Sequence, residues 1–392
     1  MSLAIDRARR PHVDLMLLVP VICLVALGVV MVFSSSASLA AHRYQSETFF
    51  LKRHVIRVVL GAVALILLAR TDYRVLARFA PWALGATVLL LGVLLAVGAA
   101  VRGANRWLSL ATVTIQPTEI ARVACVVYLA KLLDRKGERM GSFKDGVLPA
   151  TLVLGLMAFL ILCQPNLGST IALLTTGVVM LHLSGAKHRH LALLGLAGVV
   201  VAVFAVSHNA YMMERVQGWL AQWGHGRSDT LGKNWQVSQS ILALGSGGVL
   251  GAGPGHGLQK VFFLPDPHTD FIFAVIGEEL GLIGTASVLV LFTVLFLRGL
   301  KVASHAPDRF GYLLAAGLTV NLSVYVAMNV AVVTGVIPTT GLPLPFVSYG
   351  GSALVVNLGG IGVLLNVASQ MEAGLLASPA VRPPGVRRRS GR

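Results

Sequence analysis

Ten apolar runs, each near the length of a bilayer crossing, constrain this chain more than any other feature. A helix needs about 20 apolar residues to cross roughly 30 Å of hydrocarbon, and such runs lie at about 15–33, 54–69, 79–98, 116–133, 147–163, 168–183, 190–206, 271–297, 312–335 and 350–370. Hydrophobic residues are 55% of the 392 and charged ones 12%, with a mean hydropathy of +0.77, which is more apolar surface than a water-soluble core can bury. The expected fold is all-α: a polytopic membrane protein with about ten transmembrane helices at 15–370, a long extracytoplasmic loop at 207–270 between the seventh and eighth helices, and short tails at 1–14 and 371–392. Arg7, Arg9 and Arg10 before the first run suggest a signal peptide, but that run of about 19 residues exceeds the usual roughly 7–15, so it reads as a retained helix. Cys23, Cys125 and Cys163 sit in apolar runs without metal-ligand spacing; they read as packing residues, with no disulfide expected.

Lys and Arg set the orientation. With a cytoplasmic N-terminus, segments 1–14, 70–78, 131–145, 184–190, 298–310 and 371–392 carry 21 of the 32 Lys and Arg. Both termini then lie inside the cell and the 207–270 loop outside. The net charge of +16 becomes a topology signal, aided by attraction to anionic membrane lipids. Arg387, Arg388 and Arg389 could in principle meet nucleic acid, but beside Pro383 and Pro384 they read as a solvated tail, and no nucleic-acid partner is expected.

The 207–270 loop is too long for a passive turn, and loops of that length are usually functional. Its segment Ile241 to Leu250, with Gly245, Gly247, Gly248 and then Gly251, is apolar but too short to span. A re-entrant or surface-lying piece fits, because irregular backbone at membrane depth must be covered by protein or face a wet cavity.

Three polar constellations carry candidate chemistry. The first is Leu264-Pro265-Asp266-Pro267-His268-Thr269-Asp270 followed by an apolar helix containing Glu278 and Glu279. Asp270 should stand at the outer rim, wet on one side and apolar on the other, where a carboxylate becomes a better base; the alternative is a helix N-cap. His268 could orient it or be an idle loop residue. At about 100° per residue Glu278 falls roughly 80° and Glu279 about 180° from Asp270, so the two cannot both share its face, and at least one is expected to pair with a cation on a neighbouring span. The second constellation comprises Arg102, Asn105, Arg106 and Trp107, then Gln116-Pro117-Thr118-Glu119 and Arg122. Glu119 and Arg122 are three apart and can form an ion pair that either packs the bundle or lines a path, and Arg106 could hold phosphate through its planar fork. The third runs from Pro338 through Pro343, Pro345 and Ser348 to Gly350, Gly351 and Ser352, a proline-stiffened outer connection whose glycines could present amides to an anion.

Together the runs WQVSQSILALGSGGVLGAGPGHGLQK, FLPDPHTDFIFAVIGEELGLIG and PTTGLPLPFVSYGGSA, with NRW and QPTE upstream, closely resemble the SEDS family of bacterial shape, elongation, division and sporulation proteins. The likeness covers nearly all ten runs and leaves only the tails. It implies a peptidoglycan glycosyltransferase that polymerises lipid II at the outer face of the cytoplasmic (inner) membrane, with the family's essential loop aspartate falling on Asp270. Direct displacement would join the acceptor's GlcNAc 4-hydroxyl to the donor's anomeric carbon, with Asp270 as general base and undecaprenyl diphosphate leaving. Arg106, Arg215 and Lys260 are the candidate cations for that diphosphate. The motifs also bring Gln239, Ser240, His268, Thr269, Ser348, Gly350 and Gly351, with Glu119 and Arg122, to the expected substrate site. The resemblance further implies a divalent metal, magnesium or manganese, with no organic cofactor. Its implied partners are a class B penicillin-binding transpeptidase and other division proteins; the resemblance does not give the docking face, for which the apolar outer faces of the eighth and ninth spans are the candidate. The first-span ending Met31 to Ser38 and the Gln259-Lys260 pair look like the division branch, whereas Trp235 is common in the elongation branch; division at the septum is favoured. Arg122 replaces a usual lysine, and Asn166 stands where aspartate is usual, so Asn166 receives no catalytic role. A lipid II flippase and a non-catalytic scaffold are the rival classes.

Overall fold

A computed structural model describes residues 13–97, 99–101, 104–110, 113–221, 235–260, 264–265 and 267–377. Arg7, Arg9, Arg10, Arg102, Asp266 and Arg387 to Arg389 lie outside the described residues, and the Arg106 side chain does too. The chain forms helices α1 (Leu15–Tyr44), α2 (Phe49–Arg70) and α3 (Tyr73–Val97), strands β1 (Ala99–Val101), β2 (Ala104–Leu110) and β3 (Val113–Ile115), then helices α4 (Pro117–Lys136), α5 (Leu148–Leu162), α6 (Leu167–Leu183), α7 (His188–Ser207), α8 (Ala210–Ala221), α9 (Trp235–Ser246), α10 (Ile272–Ser304), α11 (Arg309–Val333) and α12 (Ser352–Ala377).

Each of the ten apolar runs corresponds to one helix. Among the described residues, seven helical segments are long and apolar enough to cross a membrane, those in α1, α3, α7, α10, α11 and α12 and one that extends α5 back to Phe143, while α6 is a shorter apolar helix. The other two carry charge: Lys52, Arg53 and Arg57 in α2, Glu119 and Arg122 in α4. Helix α1 runs well past the expected end near 33, and within it the hydroxyls of Ser35 and Ser36 donate 2.6 Å bonds back to the carbonyls of Met31 and Val32, respectively. Those bonds satisfy the buried hydroxyls inside the helix. The all-helical expectation holds for the bundle; outside it, strands β1, β2 and β3 form a small antiparallel sheet of order β1-β2-β3, with Ala100 opposite Asn105 and Ser109 opposite Thr114.

Polar bonds gather the connections at two ends. At one end Asp14 caps α1 and accepts from Arg298 Nε at 2.7 Å, Arg74 Nε donates to Asp308 at 2.9 Å, and Arg309 donates to the Ser184 carbonyl at 3.0 Å. These are the segments expected in the cytoplasm. The opposite end brings together the turn at 267–271 and the connection 335–352.

Helix α10 is broken. Gly281 sits at φ 65, ψ −160, and the two bonds that a continuous helix would make, from the amides of Leu282 and Ile283 to the carbonyls of Glu278 and Glu279, are opened. The glycine-rich segment fills the gap: Leu282 and Ile283 donate to Gly248 and Val249 at 2.9 and 3.3 Å, while Ala252 and Gly253 donate to Glu278 and Glu279 at 2.9 and 3.0 Å. The expected re-entrant piece is therefore backbone inserted into a helix, with every freed group at the break satisfied again. Only glycine permits this approach at 247 and 251, where an added Cβ would lie 1.9 Å from the Gly277 carbonyl oxygen and 2.2 Å from that of Glu279.

Candidate active site

Asp270 is half-buried in a turn at 267–271 that leads into α10. Three successive carbonyls of this turn are pinned by donors from α11 and the proline-rich connection: His268 by the Tyr349 amide at 2.9 Å, Thr269 by Ser348 Oγ at 2.6 Å, and Asp270 by Asn329 Nδ2 at 2.8 Å. Asn329 also holds the Leu342 carbonyl at 2.8 Å, and Ser348 Oγ accepts the Leu344 amide at 2.8 Å. The carboxylate thus rises from a backbone fixed at three consecutive points. The N-cap of α10 is Phe271, so Asp270 stands one residue ahead of the capping position.

His268 is buried, its ring 4.6 Å from Phe50 and 5.4 Å from Tyr349 between centroids, which makes it a wedge between α2 and the Tyr349 loop. Gly350 and Gly351 form the turn into α12, Gly351 at φ 47, and Ser352 Oγ accepts the Gln116 amide at 3.0 Å. This bond ties the start of α4 to the same end.

The Glu119–Arg122 pair forms as expected, Nε to Oε2 at 2.8 Å with both side chains almost fully buried. The guanidinium also donates to Asn321 of α11 and Asn357 of α12 and lies 4.1 Å over the Tyr325 ring. Such bonding from every arm is what a buried ion needs. It crosses three helices beneath the outer loops, so the pair is built into the bundle core.

Several residues expected at the substrate are engaged elsewhere. Lys260 Nζ lies 2.6 Å from Glu279 Oε1 and its side chain is 7% exposed, so its charge answers a buried carboxylate rather than a diphosphate. The cation expected on a neighbouring span therefore comes from the loop. Ser240 Oγ donates to the Val333 carbonyl at 2.8 Å, fastening α9 to α11, and neighbouring Gln239 is buried in α9. Ser348 and Thr269 serve the turn through the bond above. Asn166 caps α6 by accepting the Ser169 amide at 3.3 Å.

Arg215 of α8 donates to the Thr339 carbonyl at 3.0 Å and borders an apolar cavity of about 470 Å³ between α6, α8 and α11. Asp270 is not among that cavity's lining residues. For Arg106 the structure gives its place on β2. Among the described residues no group of three or more His, Cys, Asp or Glu could hold a metal ion, so the described side chains offer no protein cage for a divalent cation.

Two residues escaped the sequence reading. Asn329 was one amide in an apolar run, yet a polar group inside a span is itself a signal. Arg57 lies 4.4 Å over the Tyr349 ring; a cation in the outer half of α2, against the inside bias, was the available clue.

Comparison with known proteins places this geometry. The family profile described as "Cell cycle protein", covering FtsW, RodA and SpoVE, matches residues 14–373. The chain is 38% identical over 373 residues to "Probable peptidoglycan glycosyltransferase FtsW" of Trichlorobacter lovleyi, covering 95% of this chain and 96% of that protein. It is 36% identical to "Peptidoglycan glycosyltransferase MrdB" of Escherichia coli, covering 91% and 93%. A solved chain from work on the coordination of polymerization and crosslinking by a peptidoglycan synthase complex is similar with a TM-score of 0.75 and 32% identity, covering 92% of this chain and 98% of that one.

Proposed function

The chain belongs to the FtsW, RodA and SpoVE family of cell cycle proteins, and on that premise we propose that it polymerises lipid II into β-1,4-linked glycan at the outer membrane face with Asp270 as general base. It is a peptidoglycan glycosyltransferase, as its relatives over nearly the whole length are named. The observation that carries the residue assignment is the turn at 267–271, whose three pinned carbonyls hold one half-buried carboxylate at the loop end of the bundle.

The acceptor 4-hydroxyl gives its proton to the Asp270 carboxylate as its oxygen bonds to the donor's anomeric carbon. The C–O bond to the diphosphate breaks, inverting α to β, and undecaprenyl diphosphate carries the electron pair away. A positioned base contributes about 10²–10⁴-fold to such a step. Arg215, Arg106 and Arg57 are the cations that support the departing diphosphate; Lys260 is withdrawn from that role. Were magnesium or manganese to assist, diphosphate oxygens and water would be its main ligands, since magnesium commonly binds substrate phosphates while keeping several waters, and it would supply charge to the leaving group.

The positive-inside bias supports cytoplasmic termini and an extracytoplasmic site. Relatives named FtsW support a division role at the septum, while the RodA branch covered by the same family profile keeps the elongation role as the second reading. The likeness to a chain of a synthase complex supports a crosslinking transpeptidase as partner.

Purified protein, with and without that partner, incubated with lipid II tests the activity. The expected product is a glycan ladder that a β-1,4-specific muramidase digests. Flipping of lipid II across vesicles with no polymer formed under either condition would replace the proposal with the transporter reading.

A further inference from the structure

This inference rests on Asp270 as the reacting carboxylate. Between the Asp270 turn and the Gly281 break stands a half-helix, 272–280, of nine residues and therefore about 13 Å long; all but Leu280 are buried. Its far end is gripped through side chains. Glu278 Oε1 accepts the amides of Leu258 and Gln259 at 2.7 and 3.0 Å. Glu279 accepts the Gly255 amide at 3.0 Å, Lys260 Nζ at 2.6 Å and Ser34 Oγ at 2.7 Å. Lys260 Nζ also reaches Ser34 Oγ at 2.9 Å. One buried carboxylate thus joins α1, the outer loop and α10.

A buried ion pair is a poor means of adding stability, because desolvating two charges offsets their attraction and a well-packed apolar pair serves as well. What the pair supplies is direction. The joint has three arms of fixed length, and it sits at the one point where helical bonding along α10 is interrupted and cannot carry rigidity from one half to the other.

We propose that Glu279, with Lys260 and Ser34, is a positioning residue for catalysis: it anchors the base of the half-helix and so fixes the height and orientation at which Asp270 meets the acceptor hydroxyl. Glu279 is fully buried and acts only through the strut.

The test is the Lys260→Met/Glu279→Gln double variant, which removes both charges together, assayed with its partner on lipid II across pH. A displaced base lowers kcat by about 10–100-fold with KM within about two-fold, and moves the acid limb of the kcat profile by at least about half a pH unit as the Asp270 surroundings change. Lys260→Arg, which keeps the charge but not the shape of the joint, should lose less kcat than the double variant. Wild-type kcat, or a fall at every pH with the limb unmoved, overturns the proposal. Should the double variant fail to fold, Ser34→Ala, lacking one hydroxyl, decides by the same two readouts. Asp270→Asn run alongside separates the premises: if it polymerises like wild type, the base assignment fails, whereas an inactive Asp270→Asn beside an unaffected double variant removes only the positioning role.

Discussion

Replacing Gly281 by alanine should damage this protein far more than its size suggests. The residue sits at φ 65, ψ −160, a region open essentially to glycine, so any side chain there costs about 1–3 kcal/mol. An added Cβ would lie 2.4 Å from Gly251 N, 2.5 Å from Val249 O and 2.6 Å from Val249 C. All three are backbone atoms of a segment tied across the break, so relief requires moving the inserted segment, and overpacking of this kind costs about 1–3 kcal/mol more. The sum, about 2–6 kcal/mol, is a large share of an ordinary stability of about 5–15 kcal/mol. Thermal unfolding in detergent, followed by intrinsic fluorescence, should show Tm lowered by about 2–7 °C, because at about 2.1 cal/mol/K per residue a chain of 392 residues unfolds with an entropy of roughly 0.8 kcal/mol/K. Gly85→Ala in α3 is the control, because its Cβ meets nothing within 4 Å and alanine favours a helix by roughly 0.5–1 kcal/mol. A Gly281→Ala protein melting within about 1 °C of that control would refute the inserted-segment architecture.

Other outcomes follow from the ion pairs. Arg122→Met strands the buried Glu119 charge and should destabilise by about 3–5 kcal/mol, whereas Glu119→Gln combined with Arg122→Met should recover most of that loss; chemical denaturation of both variants checks the difference, and equal losses would contradict it. At the opposite end, burial alone would raise the Asp308 carboxyl, but the Gly311 amide, the Tyr73 hydroxyl and Arg74 together hold it below its usual value. A depressed pKa stabilises the folded state above the unfolded value and is lost as pH falls through the folded one. Asp308→Asn should therefore melt below wild type at pH 7, with the gap closing as pH drops below about 4; a constant gap would count against this.

Much of the bundle was legible because the span requirement is so demanding: no other structure accommodates ten apolar runs of this length. The Glu119–Arg122 pair was legible because both ends lie three apart on one helix. Lys260 was misread because its partner, Glu279, comes from a helix whose break depends on Gly281, and no local pattern announces that break. The roles of Ser240 and Ser348 were hidden for a related reason: their hydroxyls bond backbone carbonyls 93 and 79 residues away in sequence. Asn329 shows the same limit, since two loops must close before its amide has anything to hold.

Single-turnover polymerisation of lipid II by Asp270→Asn, compared with wild type at equal amounts of folded protein, bears most directly on the mechanism. Loss of the base should slow strand formation by about 10²–10⁴-fold while lipid II still binds. Strands made at the wild-type rate by the asparagine variant would contradict the account.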